Sequence, residues 1–74
     1  MIKINWDEYK EYKKYSGGSD NFTTLLAFMK SFYNIVSPTD MFLIFQEDEI
    51  ASMMLAKRNI KEAEDLENFL FKCR

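Results

Sequence analysis

Apolar residues between positions 20 and 36 recur with the spacing of one helix face. They fall at i, i+3, i+4, i+7, i+10, i+11 and i+14 from Phe22. This spacing predicts an amphipathic helix over about 20–35, capped by Ser19 or Asp20 and ended by Pro38. We expect this helix to be the central packing element of the fold. The side chains expected on its buried face are Phe22, Leu26, Met29, Phe32 and Tyr33.

A shorter helix over about 6–15 is predicted by the residues at its two ends. Asn5 is a favourable N-cap and Glu8 occupies the third helical position, which together form a capping box. Gly17 offers a left-handed stop after the helix. Residues 1–4 could form a short strand ahead of it, because isoleucines alternate there with a lysine.

The segment 40–58 is ambiguous because two apolar runs flank a polar stretch. Residues 41–45 are all apolar, 46–49 are polar, and 50–56 are apolar except for one serine. A β-hairpin near 41–56, turning at Glu47-Asp48, would give two largely buried strands. Two short helices are the alternative, because Ser37-Pro38-Thr39-Asp40 has the pattern of a helix start, and no Asn-Gly or Asp-Gly turn is present. We predict the hairpin.

A last helix is predicted over about 60–73, with Asn59 as its cap and Glu62 at the third position. Its expected buried face consists of Ala63, Leu66, Phe69, Leu70 and Cys73. Together the elements predict a single α+β domain over residues 1–74, in the order α-α-β-β-α. An all-helical domain of four or five helices is the alternative.

The composition removes most catalytic chemistry. The chain has no histidine, one cysteine and two adjacent glycines. These counts exclude a Ser-His or Cys-His pair, a His/Cys metal cage and a glycine-rich phosphate loop. Acidic clusters at 47–49 and 62–67 are expected to be solvated, because a catalytic carboxylate pair needs a shielded pocket. We therefore predict no enzymatic activity, no cofactor and no metal.

Aromatic residues recur every three positions in the first predicted helix, and three lysines interleave with them. Four aromatics at this spacing sweep about half of the helix circumference, so they cannot all face one core. A surplus of tyrosine and tryptophan at a surface is typical of protein-binding sites. Alternatively, Trp6 and Tyr9 anchor the helix and only the later tyrosines are exposed. The residues predicted to contact a partner are Trp6, Tyr9, Tyr12, Lys13, Tyr15, Glu47, Asp48 and Glu49.

These observations predict a small binding protein that inhibits or regulates another protein, plausibly encoded by a phage or mobile element. A homodimer is a variant of this hypothesis, because 47% of the residues are hydrophobic in a chain of only 74. A nucleic-acid-associated transcriptional regulator is the alternative, although a net charge of −2 makes nucleic-acid binding unfavourable. The single cysteine and the absence of a signal sequence or long apolar run predict a cytoplasmic protein with no membrane partner.

Overall fold

The computed structural model describes residues 2–17 and 20–72, and these residues form helices joined by short turns. The helices are α1 (Trp6–Ser16), α2 (Asn21–Phe32), α3 (Pro38–Glu47), α4 (Glu49–Lys57) and α5 (Ala63–Lys72). No strand occurs within these ranges. The α+β prediction and its hairpin at 41–56 are therefore wrong, and the five-helix alternative is confirmed.

Helix α1 begins and ends where its sequence predicts. The Asn5 side chain accepts hydrogen bonds from the backbone N–H groups of Asp7 and Glu8, at 3.1 and 3.2 Å. Gly17 ends the helix in the left-handed conformation with φ of 66°, which glycine adopts without strain. The second half of the predicted capping box is replaced by a tertiary contact, because the Asn5 N–H donates to the Tyr33 hydroxyl at 3.0 Å.

Helix α2 is capped by Asp20, which accepts a hydrogen bond from the Thr23 N–H at 3.1 Å. The alternative cap, Ser19, lies outside the described residues. The helix ends at Phe32, three residues earlier than predicted, and Asn34 then takes a left-handed φ of 57°. Pro38 does not terminate α2 and instead begins α3.

The segment predicted as a hairpin is helical because each half has its own N-cap. The Ser37 side chain accepts from the Asp40 N–H at 3.5 Å, with Pro38 in the first turn. Asp48 is both the C-cap of α3 and the N-cap of α4. Its backbone is extended, and the chain turns at this residue from one helix to the next.

Helix α3 packs against both α4 and α5 and buries Met41, Phe42, Ile44 and Phe45. Leu43, within the same apolar run, is 43% exposed. The run is therefore continuous because a leucine occupies the solvent side of α3, where an amphipathic helix usually has a polar residue.

The start of α5 also differs from the prediction. Asn59 has a left-handed φ of 61° and ends α4 rather than capping α5. The N–H of Ile60 donates to the Leu55 carbonyl, and that of Asn59 donates to the Ala56 carbonyl, which is the Schellman arrangement. Asp65 then accepts from the N–H groups of the two residues that precede α5. The predicted core position Cys73 lies outside the described residues.

Helix α2 contributes six buried residues to the core, more than any other described helix, whereas α3 makes the most extensive contacts between helices, with α4 and α5. Of its predicted face, Phe22, Leu26 and Met29 are buried, whereas Phe32 is 51% exposed and Tyr33 is half-buried, because both lie at or beyond the helix end. The largest fully buried side chains are Phe28, Phe45, Leu25, Met29 and Leu66.

Candidate protein-binding surfaces

The structure brings together two of the predicted site residues that lie far apart in sequence. The Trp6 indole Nε1–H donates to Asp48 Oδ2 at 3.0 Å. The other oxygen of this carboxylate accepts from the N–H groups of Ile50 and Ala51, both at 2.9 Å. Trp6 and Asp48 are half-buried and fasten α1 to the α3–α4 junction.

Tyr9 is inside the protein. Its side chain is 5% exposed, and its ring makes edge contacts with Trp6 and Phe28 at centroid distances of 5.4 and 5.7 Å. Its hydroxyl donates to the Asn21 carbonyl oxygen at 3.1 Å. Burial, with a smaller contribution from the Asp20 charge, raises the pKa of Tyr9 above its ordinary value of 10.0. Tyr9 thus joins α1 to the start of α2.

The two later tyrosines lie progressively nearer to solvent. Tyr12 is half-buried, and its ring contacts the rings of Phe28 and Phe32 at 5.5 and 5.6 Å. Tyr15 is 87% exposed. Residues three apart on a helix are surface neighbours, so Tyr15 lies beside Tyr12, and Tyr12 lies beside the half-exposed Phe32. We call Tyr12, Tyr15 and Phe32 the tyrosine face.

Two glutamates lie next to the tyrosine face, and one of them, Glu11, forms an ion pair with Lys14 at 3.8 Å. Glu8 and Glu11 precede Tyr12 and Tyr15 by four residues, one turn away on the same side of α1. Lys13 points about 100° away from Tyr12 around the helix axis, and its ammonium donates to the Asn21 side-chain oxygen. The predicted lysine is therefore directed towards the start of α2 and not onto the tyrosine face.

The remaining predicted residues, Glu47 and Glu49, are exposed on either side of Asp48. They border a shallow cleft of about 280 Å³ whose apolar lining comes from Ile2, Ile4 and Ile44. This cleft lies at the end of α3, in contact with the N-terminal segment.

A larger cleft, of about 570 Å³, separates α4 from the start of α2. Its α4 side carries Ile50, Met53, Met54 and Lys57, the spacing of one helix face. Ile50 and Met53 are 50% and 61% exposed. We call these four residues the α4 face. This face was not predicted from the sequence, because three of its four residues, Ile50, Met53 and Met54, fall within the predicted hairpin at 41–56.

Arg58 also lines this cleft. Its guanidinium pairs with Asp20 at 2.5 Å and lies 4.9 and 5.6 Å from the ring centres of Phe22 and Phe69. Hydrogen bonding from Thr23, helped by the Arg58 charge, lowers the pKa of Asp20 below 3.8. Arg58 thereby links α2, the end of α4 and α5.

No group of three or more Cys, Asp or Glu side chains within residues 2–17 and 20–72 could hold a metal ion. None of the helices in those ranges has the length and apolar composition needed to cross a bilayer. Comparison with protein-family models, curated proteins and solved structures found no match to this chain.

Proposed function

We propose that this protein is a non-enzymatic binding module that regulates or inhibits another protein by docking on it through the tyrosine face. The observation that carries the proposal is the 87% exposure of Tyr15 beside the Tyr12–Phe32 ring contact. Tyrosine tolerates solvent through its hydroxyl and supplies a large apolar area when covered. Such side chains dominate the binding energy of protein interfaces.

The charges beside the tyrosine face indicate the chemistry of the partner. Glu8 and Glu11 flank the tyrosines on the same side of α1. The Glu8 carboxylate would attract lysine or arginine at the rim of an apolar socket on a partner protein, whereas Glu11 already has Lys14 as a partner. The Glu8 carboxylate would also repel phosphates. This disfavours the second hypothesis, a nucleic-acid-associated regulator, because that function needs lysines next to the exposed rings.

Loss of partner binding on substitution of Tyr15 tests the proposal. The tagged protein would be used to retain a partner from a lysate of its source cells, and the complex would then be measured by calorimetry. We expect Tyr15→Ser to weaken binding by about 2 kcal/mol, roughly thirtyfold in Kd. The fold should be unchanged, because an exposed side chain alters stability by about 0.5 kcal/mol or less.

Met53→Ser is the matched control, because it also removes an exposed apolar side chain, but from the α4 face. It should leave binding intact. Retention that is equal for the wild-type protein and Tyr15→Ser would show that the tyrosine face is not the site. Retention that disappears on nuclease treatment, or falls steeply as salt rises, would favour the nucleic-acid hypothesis instead.

A further inference from the structure

We infer that a second copy of this chain docks on the α4 face, with the two α4 helices antiparallel. This goes beyond the proposed function because it uses a different surface. The α4 face spans eight residues, from Ile50 to Lys57, or about 10 Å along the helix axis, and Ile50 and Met53 are at least half exposed on it. The cleft of about 570 Å³ beside it has polar side chains, Asp20, Asn21 and Arg58, on the side away from the α4 face, so apolar side chains of a facing helix would contact the α4 side of the cleft.

The chemistry of the α4 face differs from that of the tyrosine face. Its centre consists of aliphatic and thioether side chains, and it carries no hydroxyl that would make exposure to water tolerable. Interfaces between identical subunits are more apolar than interfaces with transient partners. Methionine side chains also adapt their shape to each other. A second copy therefore fits this surface better than a polar partner.

The charges at the two ends of α4 are complementary to those of an antiparallel copy. Glu49 begins the helix and Lys57 ends it, and neither forms an ion pair within the described residues. A two-fold axis between Met53 and Met54 would place Glu49 of each copy near Lys57 of the other. Two-fold symmetry forms each contact twice. A parallel arrangement would instead place like charges together.

The size of the surface indicates a weak dimer. An interface of standard size covers about 800 Å² on each partner, which is about a seventh of the 5218 Å² accessible on this protein. A nine-residue helix and the rim of one cleft cover less than that. We therefore expect a dissociation constant in the micromolar range and a monomer–dimer equilibrium that depends on protein concentration.

Sedimentation equilibrium across a concentration series tests the dimer. The wild-type protein should shift from 8.9 kDa towards twice that mass, and Met53→Glu should weaken association by at least about tenfold because it places two carboxylates at the centre of the interface. Tyr15→Glu is the control and should dimerise as the wild type does. A wild-type protein that stays monomeric up to about 1 mM, or a dimer that Met53→Glu leaves intact, would overturn the inference.

Two charge reversals test the antiparallel pairing without relying on one variant. Glu49→Lys and Lys57→Glu should each weaken self-association, because each places like charges opposite one another at both ends. An equimolar mixture of the two variants should recover association, since every pair is again between opposite charges. Circular dichroism would establish that both variants remain helical. Failure of folded variants to associate on mixing would rule out this arrangement.

Discussion

The Trp6 indole donates a 3.0 Å hydrogen bond to Oδ2 of Asp48, which lies 42 positions further along the chain. The same carboxylate caps α4 through its other oxygen. A single side chain therefore fixes the start of one helix and the position of another. Because the contact is partly buried, removing one partner would leave the other poorly solvated.

We expect Trp6→Phe to lower the free energy of unfolding by about 1–2 kcal/mol, because a smaller aromatic ring remains while the N–H donor to a charged acceptor is lost. Asp48→Asn should also destabilise the protein although asparagine is a good N-cap, because it weakens the bond to the indole. Urea denaturation of both single variants and the double variant would measure the coupling. Strictly additive losses would contradict an energetic link between the two side chains.

Phe28 is the side chain on which the aromatic contacts of α1 and α2 converge. Its ring contacts Tyr9, Tyr12, Phe32 and Tyr33, and it is fully buried. We expect Phe28→Ala to destabilise the protein by about 3–5 kcal/mol, because a cavity replaces the ring. Thermal or urea unfolding would measure this loss.

Phe32→Ala is the matched control for Phe28, because it removes the same group from a ring that is 51% exposed. Its effect should be well below that of Phe28→Ala, since less apolar area leaves the interior. Equal losses for the two variants would show that the exposed ring contributes as much to the core as the buried one does.

The left-handed backbone conformation of Asn59, at the end of α4, can be tested by substitution. We expect Asn59→Ala to cost about 1–2 kcal/mol, because its φ of 61° strains any residue with a Cβ that lacks a compensating side chain. Asn59→Gly should be close to neutral. Asn68→Ala, within α5, should be neutral or stabilising, because alanine is the better helix former. Urea midpoints would rank the three variants, and an Asn59→Ala as stable as Asn59→Gly would contradict the assignment.

We expect Asp20 to make the free energy of unfolding depend on pH in the acid range. Hydrogen bonding from Thr23 lowers the folded-state pKa below the ordinary 3.8. The carboxylate therefore stabilises the fold above 3.8, and this contribution is lost as the pH falls through the folded-state pKa. The stability difference between the wild type and Asp20→Asn should shrink over that interval in urea titrations. Thr23→Ala should reduce the difference, because it removes the hydroxyl donor.

Helix ends were predictable where a short segment contains its own capping groups. Asn5 and Gly17 bound α1 as their chemistry requires, and Asp20 begins α2. The hairpin prediction failed at 41–45 because an apolar run has no period. A buried strand produces the same run as a helix like α3, whose solvent side carries the exposed Leu43. Only the packing of α3 against α4 and α5 distinguishes them.

The candidate surfaces were predictable only in part. The three-residue aromatic spacing indicated that some rings must face away from the core, and Tyr15 does. The spacing could not show that Tyr9 donates to Asn21 and Trp6 to Asp48, because each of these hydrogen bonds joins residues distant in sequence. The residues around Arg58 in the sequence did not predict its role, because that role depends on aromatic rings from two other helices.

The order in which contacts form follows from the helix pairing. Helices α1 with α2, and α3 with α4, are neighbours in sequence and pack on each other, so each pair can close a short loop early in folding. The bond between Trp6 and Asp48 joins the two pairs across 42 residues, and the ring contact between Phe22 and Phe69 spans 47. Both contacts close long loops, so we expect them to form late. Loss of the Trp6–Asp48 bond should therefore accelerate unfolding more than it slows folding, and we expect it to affect how long the native state persists more than how quickly it is reached.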